Sequence, residues 1–240
     1  MATAKQAQTA LRAKSQPDRV ASTQRFFKAY PGGYSEGDKF LACTVPVTRD
    51  VAKRFYGLPL AEIKVLLMSE WHDDRLLALI ILVHQYRRAD ALGQQAIYRF
   101  YMAQIGRVNN WDLVDSSAPY IVGPYLRDRP DKMAVLQALA AAESLWERRI
   151  AMLATFDYIR QGSADETLAI AEQLLRDRHD LIQKAVGWML REVGKRVDRQ
   201  RLLDFLNVHA AAMPRTSLRY AIEHLDAEQR AYYRALKAVK

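Results

Sequence analysis

The stretch Asn109-Asn110-Trp111-Asp112-Leu113-Val114-Asp115 begins a helix and supplies one point of a longer helical repeat. Asparagine is favoured at a helix N-cap because its side chain accepts a hydrogen bond from an otherwise unpaired amide of the first turn. Asn110 therefore predicts a helix that begins at Trp111. Residues four positions apart share a helical face, so we expect Trp111 and Asp115 to face the same space. The alternative is that Trp111 anchors the core and that Asp115 is only solvated.

Polar residues enter apolar helices at regular intervals on both sides of this stretch. Arg75, Asp112, Arg149, Lys184 and Arg219 are separated by 37, 37, 35 and 35 residues. A helix pair that repeats every 35 to 40 residues is typical of HEAT-like solenoids, because neighbouring pairs bury apolar faces that one pair leaves exposed. The sequence therefore predicts an all-α fold, a HEAT-like repeat α-solenoid of stacked antiparallel helix pairs. We expect a single domain over residues 1–240, with 1–70 as an N-terminal helical cap and 71–240 as the repeats.

Several helix boundaries are predicted by the same periodicity and by the positions of glycine and proline. One helix is expected over residues 17–29, another over 92–107 and a third over 144–159. The helix that begins after Asn110 is expected to continue to Leu126, with an interruption by Pro119, Gly123 and Pro124. The last helix is expected from Ala227 to the end of the chain.

The chain is strongly basic. It has 36 Lys and Arg against 27 Asp and Glu, for a net charge of +9. Such a balance is typical of nucleic-acid-binding proteins, although many basic proteins bind no nucleic acid. Four of the five repeat positions are basic, which predicts a basic concave face. The alternative is that these side chains only solvate a helix edge.

Other classes of protein and site are disfavoured. The single cysteine, Cys43, excludes an intramolecular disulfide and a cysteine-based metal cluster, which indicates a reducing, cytoplasmic setting. The longest apolar run, residues 76–83, is much shorter than a membrane span. The five histidines lack the spacing of a zinc site, and no glycine-rich phosphate loop occurs. We therefore expect no metal and no cofactor.

A second group of residues that could contact a ligand lies in Lys184-Ala185-Val186-Gly187-Trp188-Met189-Leu190-Arg191. Gly187 lowers helix stability by about 1 kcal/mol relative to alanine, which indicates close approach of a neighbouring group. Trp188 and Arg191 share a face at i and i+3. An indole beside a guanidinium can hold a sugar-phosphate strand. The alternative is that Trp188 packs between helices.

Six segments of the chain, in this order, resemble the AlkD-type DNA alkylation-repair glycosylases, a family built from HEAT-like repeats. They are Phe26-Phe27-Lys28 with the glycine-rich turn at 31–35, residues 36–41, Val45-Pro46 followed by Arg49, residues 109–115, residues 146–149 and residues 184–192. Together they cover nearly the whole chain beyond the first helix. The strings N-N-W-D-L-V-D and K-A-x-G-W-x-L-R-E are the most specific.

The resemblance implies an enzyme that hydrolyses the N-glycosidic bond of cationic N3- or N7-alkylpurines, of the 3-methyladenine and 7-methylguanine type, in duplex DNA. It also implies an abasic product and a mechanism without base flipping. Asp115 matches the catalytic carboxylate of the family. Trp111 and Trp188 match the aromatic pair beside the sugar of the lesion.

Contacts with the DNA backbone are implied in the same way. Arg149, or its neighbour Arg148, matches a phosphate-contacting arginine, and Arg191 and Arg49 resemble further backbone contacts. Lys184 joins them as a basic repeat position. The implied partner is double-stranded DNA with alkylated bases, bound by a monomer in the bacterial cytoplasm and, when bound, at the nucleoid.

A non-catalytic HEAT-repeat scaffold that binds DNA or protein is the competing hypothesis. The joint presence of Trp111, Asp115 and Trp188 favours the enzyme.

Overall fold

Helices are the only regular elements of the computed structural model, which describes residues 2–236. Within that range no strand forms, and the one bridge outside the helices pairs Lys39 with Trp71. The predicted all-α class is therefore confirmed. The chain divides into two compact units, Met1–Ile121 and Val122–Lys240. The single domain with its cap at 1–70 stays a prediction.

The first unit contains seven α-helices within the described residues. They are α1 (Ala4–Arg12), α2 (Val20–Phe26), α3 (Val45–Lys53), α4 (Leu60–Leu67), α5 (His72–Arg88), α6 (Ala91–Ala103) and α7 (Trp111–Asp115). Short 3-10 helices cover Pro17–Arg19 and Ile105–Arg107. The next helix, α8 (Ala118–Leu126), includes the boundary between the units.

The helices of the second unit complete the described chain. They are α9 (Lys132–Ala140), α10 (Leu145–Ala154), α11 (Phe156–Arg160), α12 (Asp165–Gln173), α13 (Asp180–Arg196), α14 (Arg199–His209), α15 (Arg215–Ala221) and α16 (Ala227–Ala235). Successive helices pack as pairs in both units, including α4 with α5, α9 with α10 and α13 with α14. The helix pairs predicted from the repeat are thus observed. None of these helices is long and apolar enough to cross a membrane.

Helix α5 forms the centre of the first unit. Its apolar residues are buried on every side, as expected for a helix that is surrounded by others, and it packs against α3, α4, α6 and α7. Its first turn is also buried, although it consists of His72, Asp73, Asp74 and Arg75. Buried charges are stable only when they are paired, so this turn must be held by specific partners.

Three predicted helices differ from the observed ones. Residues 17–29 and 92–107 each include a 3-10 segment, and residues 144–159 form two helices that meet at Thr155. The Thr155 hydroxyl donates to Met152 O over 2.7 Å, which satisfies a carbonyl at the end of α10. The final helix was predicted to reach residue 240, and its last four residues, 237–240, lie outside the described residues.

The predicted interruption at Pro119, Gly123 and Pro124 lies instead at Ser116 and Ser117, and α8 continues through those three residues. The Ser117 hydroxyl donates to Leu113 O over 2.5 Å and bonds with the Tyr101 hydroxyl at 3.0 Å, so it occupies the carbonyl that a continuous helix would use. Pro119 falls in the first turn of α8, where a missing amide is tolerated. Serine, not proline, therefore ends α7.

Gly187 allows α13 and α15 to approach closely, as its position in the sequence predicted. A β-carbon at this position would lie 2.3 Å from Ser217 O and 2.6 Å from Tyr220 Cβ. The first of these contacts is with backbone, which cannot rotate away. Because Trp188 follows directly on α13, this packing also fixes where the indole lies.

We expect Gly187→Ala to lower the free energy of unfolding by roughly 1–3 kcal/mol, because the added methyl group forces α13 and α15 apart. Thermal and urea unfolding measure the change. Gly106→Ala is the control, since no heavy atom lies within 4 Å of the β-carbon it adds. Equal or greater stability of Gly187→Ala, as helix propensity alone would give, contradicts the assigned close approach.

Candidate functional site

The start of α7 is fixed by Asn110, as the sequence predicted. The Asn110 Oδ1 accepts from the Trp111 amide over 2.8 Å, and its Nδ2 donates to Ser35 Oγ over 2.6 Å. Asn110 is fully buried. One side chain therefore caps α7 and joins it to the glycine-rich turn at residues 31–35.

Trp111 packs against a pair of phenylalanines. The ring of Phe27 stacks on the indole with 5.3 Å between centroids and 20° between planes. Phe26 contacts the same indole edge-on at 5.6 Å and is 64% exposed. In the sequence, Phe26 and Phe27 are part of the family resemblance only. The feature of the sequence that could have predicted their contact with Trp111 is a pair of adjacent aromatic residues before a glycine-rich turn.

His72 connects α7 to α5 beneath this aromatic surface. It is buried between the rings of Phe27 and Phe40, whose centroids lie 4.8 and 5.0 Å from its own. Its Nε2 lies 2.8 Å from Asp112 Oδ2, and its Nδ1 lies 3.7 Å from Asp38 Oδ2. Neither acid is near His72 in the sequence, so these pairs were not predicted.

The charges around His72 favour its protonated form. Burial alone would lower the pKa of the imidazole, but the charge and hydrogen bond of Asp112, with Asp38 beside it, raise the pKa of His72 to about 9. Arg75 opposes this slightly, and it also donates to Asp38 Oδ2 over 2.7 Å. At neutral pH an imidazolium therefore bridges two carboxylates, one on α7 and one in the loop before α3.

An aromatic cleft of about 490 Å³ opens beside these residues. Its lining includes three phenylalanine rings, two of these polar side chains and the loop before α3. These residues include Phe26, Phe27, Phe40, His72, Asp112 and Cys43. The Asp73 carboxylate holds that loop, accepting from the amides of Leu41 and Cys43 over 2.8 and 2.9 Å. Burial, with smaller effects of Asp73 and Asp74, raises the pKa of the Cys43 thiol to about 12.

A basic cleft of about 390 Å³ in the same unit reaches the other end of α7. Its polar lining consists of Arg49, Lys53, Tyr56, His84, Arg87 and the residue after α7, Ser116, together with Tyr120. Arg49 is exposed, and the Arg87 guanidinium lies 4.8 Å from the Tyr120 ring centroid. Burial and the nearby Arg88 and Arg87 lower the pKa of His84.

Asp115 is the last residue of α7 and is half-buried. Three residues before it, Asp112 lines the aromatic cleft, and directly after it, Ser116 lines the basic cleft. Trp111 begins the same five-residue helix and is also half-buried. Trp111 and Asp115 thus lie at the two ends of one short helix, and Arg49 lines the basic cleft together with Ser116, the residue that follows this helix.

The second unit carries the other aromatic residue of the predicted pair. Trp188 is half-buried on α13, and the ring of Phe156 lies 6.2 Å from it. Two guanidiniums, of Arg160 and Arg196, lie 5.3 and 5.5 Å from the Phe156 ring centroid. The indole thus borders a surface in which cations alternate with aromatic rings, and Arg191 follows it one turn later.

The remaining predicted DNA contacts have partners within the second unit. Arg149 is only 5% exposed, and its NH1 donates to Leu181 O over 2.6 Å. Arg148 Nε donates to the carboxylate of Asp177 over 2.7 Å. Lys184 pairs with the acid one turn earlier on α13 over 2.6 Å. Their contact with DNA stays a prediction, and Arg149 would need to move to make it.

Two of the basic repeat positions are interior. Arg75 is fully buried, where it bonds with Asp38 and with Ser69 O, and Arg149 is buried on α10. Lys184 is half-buried and Arg219 is exposed. The repeat period therefore marks where helices enter the core, and among the basic repeat positions only Arg219 on α15 is an exposed cation.

The chain matches the model of one family and shares its fold with two solved structures. The model of a family described as DNA alkylation repair enzyme matches residues 7–225. Among solved structures, a protein described as a predicted DNA alkylation repair enzyme from Enterococcus faecalis superimposes with a TM-score of 0.69 at 16% identity, over 89% of this chain and 98% of the other. AlkD2 from Streptococcus mutans gives a TM-score of 0.55 at 16% identity, over 88% and 99%. No curated protein gives a significant match.

The His72 ion pairs make stability depend on pH in a defined direction. The folded-state pKa of about 9 exceeds the unfolded value, so the stabilisation is complete below about pH 6.5 and is lost as the pH rises through 9. We expect the free energy of unfolding of the wild type to fall by roughly 3 kcal/mol over that interval. Urea unfolding at a series of pH values measures it.

His72→Gln serves as the comparison, because glutamine keeps a donor but does not titrate. The variant should be less stable at pH 6 and should show a much flatter profile up to pH 9.5. Parallel profiles for the two proteins would mean that folding does not raise the pKa of His72.

Proposed function

The chain belongs to the DNA alkylation repair enzyme family, which confirms the resemblance drawn from its motifs, and on this premise we propose that it is a DNA glycosylase. Its substrates are cationic N3- and N7-alkylpurines in duplex DNA, such as 3-methyladenine and 7-methylguanine. The observation that carries the proposal is α7, a five-residue helix that contains Trp111 and Asp115; its Asp112 lines the aromatic cleft, and Ser116, the next residue after the helix, lines the basic cleft.

The chemistry needs little from the protein apart from a well-placed negative charge. Alkylation makes the purine a cation, so the electron pair of the N-glycosidic bond can leave with the base and neutralise it without a general acid. The sugar that remains has oxocarbenium character. A carboxylate held in place stabilises this charge, and it can orient the water that attacks C1′ and accept its proton.

Asp115 fits the role of this carboxylate, and Trp111 fits that of its aromatic neighbour. The face of an indole stabilises a nearby cation by about 0.5–2 kcal/mol. Stacking on Phe27 and the cap of Asn110 hold Trp111 before substrate arrives, so that no reorganisation is required during the reaction. In the proposed mechanism Trp188 supplies a second indole, and the base is not flipped into a pocket.

Backbone contacts hold the duplex in this proposal. In the first unit Arg49 and the rest of the basic cleft contact phosphates near α7. In the second unit Arg191 and Lys184 do so, together with Arg148 or Arg149 after rearrangement of their internal bonds. The protein acts as a monomer on alkylated double-stranded DNA, in the bacterial cytoplasm and at the nucleoid.

We expect Asp115→Asn to release 7-methylguanine from methylated duplex DNA about 10²–10³-fold more slowly than the wild type, because the variant lacks the charge that stabilises the sugar cation. Single-turnover assays of base release measure this loss. Asp128→Asn is the control, since Asp128 is exposed and the substitution changes the net charge equally.

The same assay separates the enzyme from the scaffold hypothesis. A wild-type protein that binds methylated duplex DNA but releases no base would support the non-catalytic scaffold. Binding that is insensitive to salt would argue for a protein partner, because binding to the DNA backbone weakens steeply as salt rises.

Arg49→Gln should weaken binding to duplex DNA of any sequence and reduce the slope of log K against log salt by about 1, because one phosphate contact is lost. Fluorescence anisotropy at several salt concentrations measures the slope. Arg99→Gln is the control, since Arg99 is exposed on α6 and lines neither cleft. Equal slopes for the two variants would remove Arg49 from the DNA interface.

A further inference from the structure

A second basic cavity lies in the second unit, and Arg191 is the only one of its lining residues that the proposed DNA contacts include. It has a volume of about 510 Å³ and is formed by α13, α15, α16 and the turn between the last two. We name it the arginine pocket, and its lining residues are Arg191, Arg219, Tyr220, Glu223, Arg230 and Arg234. Four guanidiniums therefore converge with one carboxylate.

Glu223 is the anion of this pocket in the free protein. Its carboxylate pairs with NH1 of Arg191 and is about half exposed. Among the described residues, no carboxylate forms an ion pair with Arg219, Arg230 or Arg234. The pocket thus has four cations and one anion of its own, which leaves an excess of positive charge.

The guanidinium of Arg191 has hydrogen-bond acceptors for only part of its donors. Its NH2 donates to Glu192 over 3.1 Å, and its NH1 donates to Glu223. Its Nε is buried, and no acceptor reaches it within the described part of the chain. A buried donor without a protein partner is unusual in a native protein, and an oxygen atom of a bound phosphate would satisfy it.

The other arginines are positioned by contacts that leave the pocket open. Arg219 lies 5.7 Å from the centroid of the Tyr220 ring, on which it packs. Arg230 donates from NH1 to Leu225 O over 3.1 Å, at the turn that carries Glu223. Close packing at Gly187 holds α13 against α15, so Arg191 and Arg219 keep their relative places.

We propose that the arginine pocket binds a phosphodiester group of duplex DNA, and that Glu223 occupies the pocket as an internal competitor until the phosphate displaces it. Guanidiniums match phosphate oxygens with paired hydrogen bonds, which makes arginine clusters suited to this anion. The choice of DNA as the polyanion rests on the proposed function. The pocket would thus add a contact with the DNA backbone that does not involve α7.

If phosphate displaces Glu223, loss of the Glu223 charge should strengthen DNA binding, and loss of an arginine charge should weaken it. Glu223→Gln should tighten binding to an undamaged duplex by about threefold to tenfold, because the competing charge is removed while the side chain keeps its shape. Arg219→Gln and Arg234→Gln should each weaken binding and reduce the salt slope by about 1. Anisotropy with an undamaged 20-base-pair duplex (about two helical turns) measures all three.

Each variant has a matched control in the same unit. Glu228→Gln removes an exposed acid from the first turn of α16 and alters the net charge as Glu223→Gln does. Arg201→Gln removes an exposed arginine from α14, outside the pocket. Thermal unfolding of every variant verifies that the helices remain folded.

Three outcomes would overturn the pocket: no gain for Glu223→Gln beyond that of Glu228→Gln, unchanged slopes for the arginine variants relative to Arg201→Gln, or no binding of undamaged duplex by the wild type. The readout is binding and does not require base release. A protein that releases no 7-methylguanine, but that shows both the gain and the losses, would refute the glycosylase and support the pocket.

Discussion

A buried positive charge with two carboxylate neighbours determines where the candidate catalytic helix lies. His72 is enclosed by Phe27 and Phe40 and contacts Asp112 and Asp38, so the first turn of α5, the loop before α3 and α7 are held at one point. Removing one partner of such a group leaves an uncompensated charge in the interior, which is strongly destabilising. Because Phe27 contacts the His72 ring and also stacks on Trp111, the position of the indole depends on this ion cluster.

A buried ion cluster lies beside the candidate functional surface of each unit, and the central charge of the cluster is positive in one unit and negative in the other. In the first, a cation is enclosed by acids. In the second, the acid Glu192 is buried on α13, where burial would raise its pKa but hydrogen bonds from Arg196 and Arg191 lower it. In both cases the internal pair fixes a side chain next to an aromatic surface. Catalysis by electrostatic stabilisation depends on groups that are fixed before the substrate binds, and these pairs meet that requirement.

Local signals were sufficient to predict most of the helical fold but only part of the candidate site. Asn110 as a cap, Gly187 as a close approach and the helix pairs were predictable, because each depends on a few neighbouring residues. His72 with Asp112 was not, since its partner lies 40 residues away and periodicity carries no information about pairing. The repeat period also overstated the basic surface. Arg75 and Arg149 follow the period but are buried, because a long side chain can turn inward towards an acceptor that the sequence does not reveal.

The thiol of Cys43 has a chemical consequence for a protein that works where alkylating agents are present. The thiolate is the form that attacks such reagents, and burial raises the pKa of Cys43 to about 12, which favours the thiol at neutral pH. Cys43 is also the only cysteine of the chain. The single thiol of the protein is therefore held in the form that reacts slowly with alkylating agents.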